Sequence, residues 1–123
     1  MPQKILIADD DVETLRLIGL MLQRQGFEIA AAANGVQALE MSQTISPDLI
    51  ILDVMMPDID GGDVAASLAE TEELKNVPVV FLTAIVTEEE TKPTGSFIGR
   101  HTFLAKPVNL KNLITCIENH IGA

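Results

Sequence analysis

The sequence predicts an α/β fold of the doubly wound class, a parallel sheet with helices on both faces. Three observations predict it. Five short runs are apolar along most or all of their length, as strands buried on both faces must be. Segments of helical period separate them, which is the βα alternation of a parallel sheet. Four of the runs stop at Asp, Thr or Lys, so that polar and acidic residues close the strands. At 123 residues the chain is long enough for one domain, 1–123, with a single core.

The elements follow in order. Lys4-Ile5-Leu6-Ile7-Ala8 reads as the first strand, stopped by Asp9-Asp10. Asp11 can cap the helix behind it, because a short carboxylate accepts from the free amides of a first turn. Val12, Leu15, Ile18 and Leu22 share helical spacing there, and Gly26 ends the helix. Phe27 to Ala31 is a weaker, Ala-rich second strand. Asn34 can cap a short helix through Ala38, Leu39 and Met41. After the Pro47-Asp48 turn, Leu49-Ile50-Ile51-Leu52 is the strongest strand, closed by Asp53. A loop with Pro57, Gly61 and Gly62 leads to a helix over 63–70, with Val64 and Leu68 on one face. Pro78 opens a fourth strand, Val79-Val80-Phe81-Leu82, ending at Thr83. Thr102-Phe103-Leu104-Ala105 is a fifth, ending at Lys106-Pro107. Asn109 can cap the last helix, in which Leu110, Leu113, Ile114, Ile117 and Ile121 share a face.

Right-handed crossovers leave few topologies for five such units. The commonest is the flavodoxin-like (βα)5 arrangement, a five-stranded parallel sheet in the order 2-1-3-4-5. Ligands of such sheets gather at the carboxyl ends of strands 1 and 3, where the winding direction switches. Strand 1 ends in Asp9-Asp10-Asp11 and strand 3 in Asp53, and Thr83 and Lys106 end strands on the same rim. Crowded carboxylates repel, and a proton or a cation must relieve them. Hard oxygen ligands with open positions suit Mg²⁺, which keeps waters and pairs with phosphate. A metal, a free carboxylate and a Lys together form a layout for phosphoryl transfer, with Asp53 as nucleophile and Thr83 and Lys106 on the phosphoryl oxygens. Asp11 alone reads first as a helix cap. Asp9, Asp10, Asp53, Thr83 and Lys106 together do not reduce to capping.

The residues Ile-Leu-Ile-Ala-Asp9-Asp10-Asp11, Leu-Asp53-Val-Met-Met-Pro57-Asp-Ile-Asp-Gly61, Leu-Thr83-Ala84 and Ala-Lys106-Pro107 resemble a bacterial two-component response-regulator receiver domain. The likeness covers nearly the whole chain. It implies that Asp53 is the phosphoacceptor, that Asp10 binds Mg²⁺ directly, and that Asp9 is its partner, often through water. It also implies that the backbone carbonyl of Met55 completes the metal site. Thr83 matches the switch hydroxyl, Lys106 the phosphate-pairing lysine, and Phe103 an aromatic switch position that often holds Tyr. Phe103 has no phenol hydroxyl to satisfy, so it is expected to lie inward more often than a Tyr. The same resemblance implies a cis peptide at Lys106-Pro107. The implied donor is a histidine kinase or histidine phosphotransfer protein, and an unknown downstream protein receives the signal.

Some segments depart from the family or admit plainer readings. Thr87-Glu88-Glu89-Glu90 can start a helix, but Pro93 and Gly95 predict a fourth helix that is short, displaced or largely loop. Leu17, Leu20 and Met21 lie roughly opposite Leu15 and Leu22, as scattered exposed residues or as a contact patch. Asp58-Ile59-Asp60-Gly61-Gly62-Asp63 lacks the spacing of a calcium loop and reads as a solvated turn. His101 and His120 read as surface or edge residues, and Cys116 as a packed thiol. Met55 and Ile85, two residues beyond Asp53 and Thr83, are apolar and predict a slowly hydrolysing acyl phosphate.

Composition bounds the function from outside. Eight Lys and Arg against eighteen Asp and Glu give a net charge of −10, the wrong sign for a nucleic-acid surface. One Cys cannot form an internal disulfide, which suits a reducing compartment. No apolar run approaches the length of a membrane span, and the first residues lack a signal-peptide layout, so the expected location is the cytoplasm. The chain stops right after the last helix, so output is expected to pass through protein contacts or through an output domain outside this sequence. Two other functions fit less well. An aspartyl-phosphate phosphohydrolase would want an acid where Met55 stands, and a phosphorylation-independent interaction module has no need of the acidic pair, the Thr and the Lys.

Overall fold

The computed structural model of the chain describes residues 3–54, 56–83, 96–98, 101–106 and 108–121. The elements are β1 (Lys4–Ala8), α1 (Val12–Arg24), β2 (Glu28–Ala32), α2 (Gly35–Ile45), β3 (Leu49–Asp53), α3 (Gly61–Ala69), β4 (Val79–Thr83), β5 (Ser96–Ile98), β6 (His101–Ala105) and α4 (Leu110–Ile121). The sheet order is β2-β1-β3-β4-β6-β5, and the first five of these strands are parallel, in the predicted order.

Side-chain alternation along the strands decides how the sheet is covered. Ile5 and Ile7 of β1, with Leu49 and Ile51 of β3, face α1 and α4 through Ile18, Leu22, Leu113 and Ile117. Leu6, Ile50 and Leu52 point the other way, against Ala38 of α2 and Val64 and Leu68 of α3. Every residue of β3 is buried, so it is the central strand that its apolar run predicts. Fully burying one such Ile or Leu stabilises by roughly 1.5–3 kcal/mol, against about 1 kcal/mol for a good helix cap. The strand sequences therefore hold the layers together, and the caps set where the helices begin.

Those caps are largely the predicted ones. Asp11 accepts from the Glu13 amide at 3.0 Å, Asn34 from Gln37 at 2.8 Å, and Asn109 from Asn112 at 3.2 Å. Gly26 sits at φ 95°, the left-handed turn that lets the chain leave α1.

Several expectations need correction. Val12 is 60% exposed and does not share the apolar face of α1, because it stands in the first turn beyond the edge of the sheet. Leu17 and Leu20 are exposed, but Met21 packs against the core beside α1. α3 starts at Gly61, two residues early, because Asp60 caps it. α2 runs on to Ile45. Ser96–Ile98 forms a sixth strand that pairs antiparallel with β6, which the reading of that segment as helix or loop did not anticipate. The expected short, displaced or largely loop helix after β4 falls on residues 84–95, which with the Lys106-Pro107 peptide and Ile85 lie outside the described residues.

Candidate functional site

The site grows from strand register. Ala8 of β1 lies opposite Leu52 of β3, so the next residues, Asp9 and Asp53, leave the sheet side by side. Asp53 pairs with Leu82 of β4, and Thr83 with Ala105 of β6, so Lys106 follows at the same level. Backbone bonds continue the ladder past the strand ends. Val54 N–H donates to Leu82 at 3.0 Å, and Lys106 N–H to Thr83 at 2.9 Å.

These placements bring Asp9, Asp10 and Asp53 together, each offering a carboxylate oxygen within 4.8 Å of the others. Asp9 is fully buried, Asp53 is 5% exposed, and Asp10 is exposed. The Lys106 ammonium lies 2.7 Å from Asp9 Oδ2 and 3.3 Å from Asp53 Oδ1. Thr83 is buried at the end of the strand between β3 and β6. Met55 lies outside the described residues.

The charges are set by these neighbours. Burial works against the Lys106 charge, but Asp9 and then Asp53 outweigh it and raise its pKa, so the ammonium persists through neutral pH. The two Asp9 oxygens differ. Oδ1 accepts from the Asp11 amide at 2.9 Å, which fixes the turn after β1. Oδ2 is buried with no aligned hydrogen-bond donor, and its contact with Lys106 is one of charge. A buried carboxylate oxygen held against an ammonium, beside two further carboxylates, is a donor set that fits a hard divalent cation.

Asp11 stays outside this group. Its carboxylate takes the Thr14 hydroxyl at 2.9 Å and the Glu13 amide, and in that order they lower its pKa. Two features were not legible in the sequence. Asp58 accepts from the Gly35 and Val36 amides at 3.0 and 2.9 Å, which ties the loop after β3 to the start of α2. Gly61 approaches the backbone of Asp53 so closely that a Cβ there would meet the Asp53 carbonyl at 2.5 Å. The Gly at 61 belongs to the quoted motif, but the contact that requires it spans eight residues of chain and has no local pattern. His120, read as a surface or edge residue, is half-buried and bonds Thr102 at 3.0 Å. Cys116 is buried as expected, and burial pushes its thiol up to about 11.

Comparison with known proteins gives one consistent result. Residues 5–118 match the family model for the response regulator receiver domain. The polar-differentiation response regulator DivK of Brucella anthropi is 28% identical, over 99% of this chain and 98% of its own. The chemotaxis protein CheY4 of Vibrio cholerae superposes with a TM-score of 0.84 at 29% identity, over 98% of this chain and 99% of its own. The receiver domain of sensor histidine kinase PA1611 from Pseudomonas aeruginosa, in a structure with a magnesium ion coordinated in its active site cleft, gives 0.83 at 26% identity over the full length of both.

Proposed function

The chain belongs to the response regulator receiver domain family, the phosphoacceptor signalling switches of two-component systems, and from that premise we propose that Asp53 is the residue that takes the phosphoryl group. The observation that carries the proposal is the meeting of three carboxylates within 4.8 Å, with one ammonium bridging two of them. Asp53 is the member that Lys106 contacts from the central strand, and it has a neighbouring hydroxyl-bearing strand end at Thr83.

In this reading a carboxylate oxygen of Asp53 forms the new P–O bond as the P–N bond to a donor phosphohistidine breaks. The donor is a histidine kinase or a histidine phosphotransfer protein. Lys106 neutralises charge on the phosphoryl oxygens, and the Thr83 hydroxyl donates to one of them. Asp9, Asp10, Asp53 and the Met55 carbonyl would hold Mg²⁺, which when bound supplies further positive charge at the phosphoryl group. Residues 1–123 form one domain that acts as a switch and not as a turnover enzyme, and its output goes to a further protein. Its place is the cytoplasm, and no helix among the described residues is long and apolar enough to cross a membrane.

The test is covalent labelling. With acetyl phosphate and Mg²⁺, the parent should gain an acid-stable, base-labile adduct at one site, and Asp53→Asn should abolish it while leaving the fold intact. Undiminished labelling of Asp53→Asn would show that another residue is the nucleophile.

A further inference from the structure

The face of β4 that carries Thr83 also carries Phe81, two residues earlier. In the parallel ladder Phe81 lies directly opposite Phe103 of β6. The two rings stack, with centroids 5.1 Å apart and planes inclined by 28°. Their exposures differ. Phe81 is 3% exposed and fixed in the core, whereas Phe103 is half-buried at its margin. Phe81 is therefore the anchor, and Phe103 is the ring with room to turn. The strand beneath Phe103 is held from its other face, where Thr102 bonds His120 of α4 at 3.0 Å. Motion of Phe103 is then a side-chain rotation rather than a shift of β6.

We propose that Phe81 is a positioning residue that holds the Phe103 ring against the sheet beside Thr83 with or without a phosphoryl group, so that this edge of the molecule is pre-set and responds little to phosphorylation. Two physical terms point the same way. An offset aromatic pair is favourable beyond its buried area, enough to multiply the stacked population by about 2- to 13-fold. A Phe ring also carries no hydroxyl that burial would leave unsatisfied. A phosphoryl group acting through Thr83 can shift the equilibrium only by its differential contacts with the two positions, and the stack already favours one of them. The phosphorylated arm of this inference rests on the reading of Asp53 given above.

The chain has four Phe and neither Tyr nor Trp, so its ring NMR signals are few enough to assign. The experiment compares the parent with Phe81→Leu, an apolar swap that cores tolerate. Each is recorded with Mg²⁺ before and after beryllofluoride, an aspartyl-phosphate mimic. The parent should show a Phe81–Phe103 ring-to-ring Overhauser contact in both states, with Phe103 shifts nearly constant. Phe81→Leu should show Phe103 averaged between positions, moving toward the sheet when beryllofluoride is added. Loss of the ring contact in either state of the parent overturns the proposal, and that reading needs no variant. So does a Phe103 ring that sits in Phe81→Leu as it does in the parent. If the Asp53 and Thr83 amides ignore beryllofluoride, the phosphoacceptor reading fails, and the spectra without it still decide the stack.

Discussion

Two groups of aspartates stand at the carboxyl end of this sheet, and they differ in what faces them. Asp11, Asp58 and Asp60 each meet backbone amides at the start of a helix, at 2.9 to 3.0 Å. Asp9, Asp10 and Asp53 meet one another, and Lys106 meets Asp9 and Asp53. A helix start presents fixed donors and the positive end of a dipole, so a carboxylate there is satisfied by the fold itself. Asp58 shows how completely: the Val36 and Gly35 amides bring its pKa from 3.8 to about 2. Carboxylates that face one another repel, and a cation held where they converge relieves that repulsion. The difference between a structural and a chemical aspartate here lies in the partner, since the residue type is the same.

The largest effect that separates the groups is expected from Mg²⁺. A cation that binds only the folded state stabilises it by RT ln(1 + [Mg²⁺]/Kd), about 1.4 kcal/mol at ten times Kd. The melting temperature of the parent should rise by several degrees as Mg²⁺ increases through the millimolar range. Asp10→Asn should weaken that response at least tenfold in Mg²⁺ concentration, and Asp58→Asn should leave it unchanged. Equal losses in the two variants would mean that the cation is not held where the carboxylates converge.

A smaller effect is expected from acid, and it belongs to the capping group. Asp58 and Asp11 have pKa values lowered in the folded state, by backbone amides at Asp58 and by the Thr14 hydroxyl and then the Glu13 amide at Asp11. The unfolded chain therefore binds more protons below the ordinary carboxylate pKa of 3.8. Their contribution to stability is fully present above that value and is lost as pH falls toward about 2 for Asp58. Urea midpoints taken at pH 5 and pH 2.5 should fall further in the parent than in Asp58→Asn. Parallel curves for the two proteins would remove Asp58 from the account of acid stability.

The sequence discloses these two groups unequally. β3 is legible because five consecutive residues are buried on both faces, which leaves an unbroken apolar run. Asp9, Asp53, Thr83 and Lys106 are legible because each ends such a run, and the switch-point rule then brings those ends together. Asp11 and Asn109 are legible as caps because their donors lie two and three residues away. Asp58 is not, since its donors stand 22 and 23 residues back and belong to another helix. Val12 and Met21 were misplaced for a related reason. Helical periodicity gives the angle of a side chain about α1, but not where the neighbouring sheet ends beneath it. The strand at Ser96–Ile98 is three residues long, too short to show a period.

The smallest effect concerns Asp60, and it tests whether charge or acceptor geometry defines the capping group. Asp60 Oδ1 accepts from the Asp63 amide at 2.9 Å and starts α3. The next residue, Gly61, lies against the Asp53 carbonyl and donates its own amide to Val54 at 2.9 Å. The first turn of α3 thus braces the strand end that carries Asp53. Asn is as good an N-cap as Asp, whereas Ala at a cap costs about 1 kcal/mol. Asp60→Asn should keep the urea midpoint close to that of the parent, and Asp60→Ala should lower it by that amount. Fraying of the turn in Asp60→Ala should also slow labelling by acetyl phosphate modestly, with no change in Asp60→Asn. The same Asp-to-Asn change that abolishes labelling at Asp53 is therefore expected to be silent seven residues later. If Asp60→Asn loses as much stability as Asp60→Ala, the charge of Asp60 matters more than its oxygen, and the division between the two groups of aspartates fails at this position.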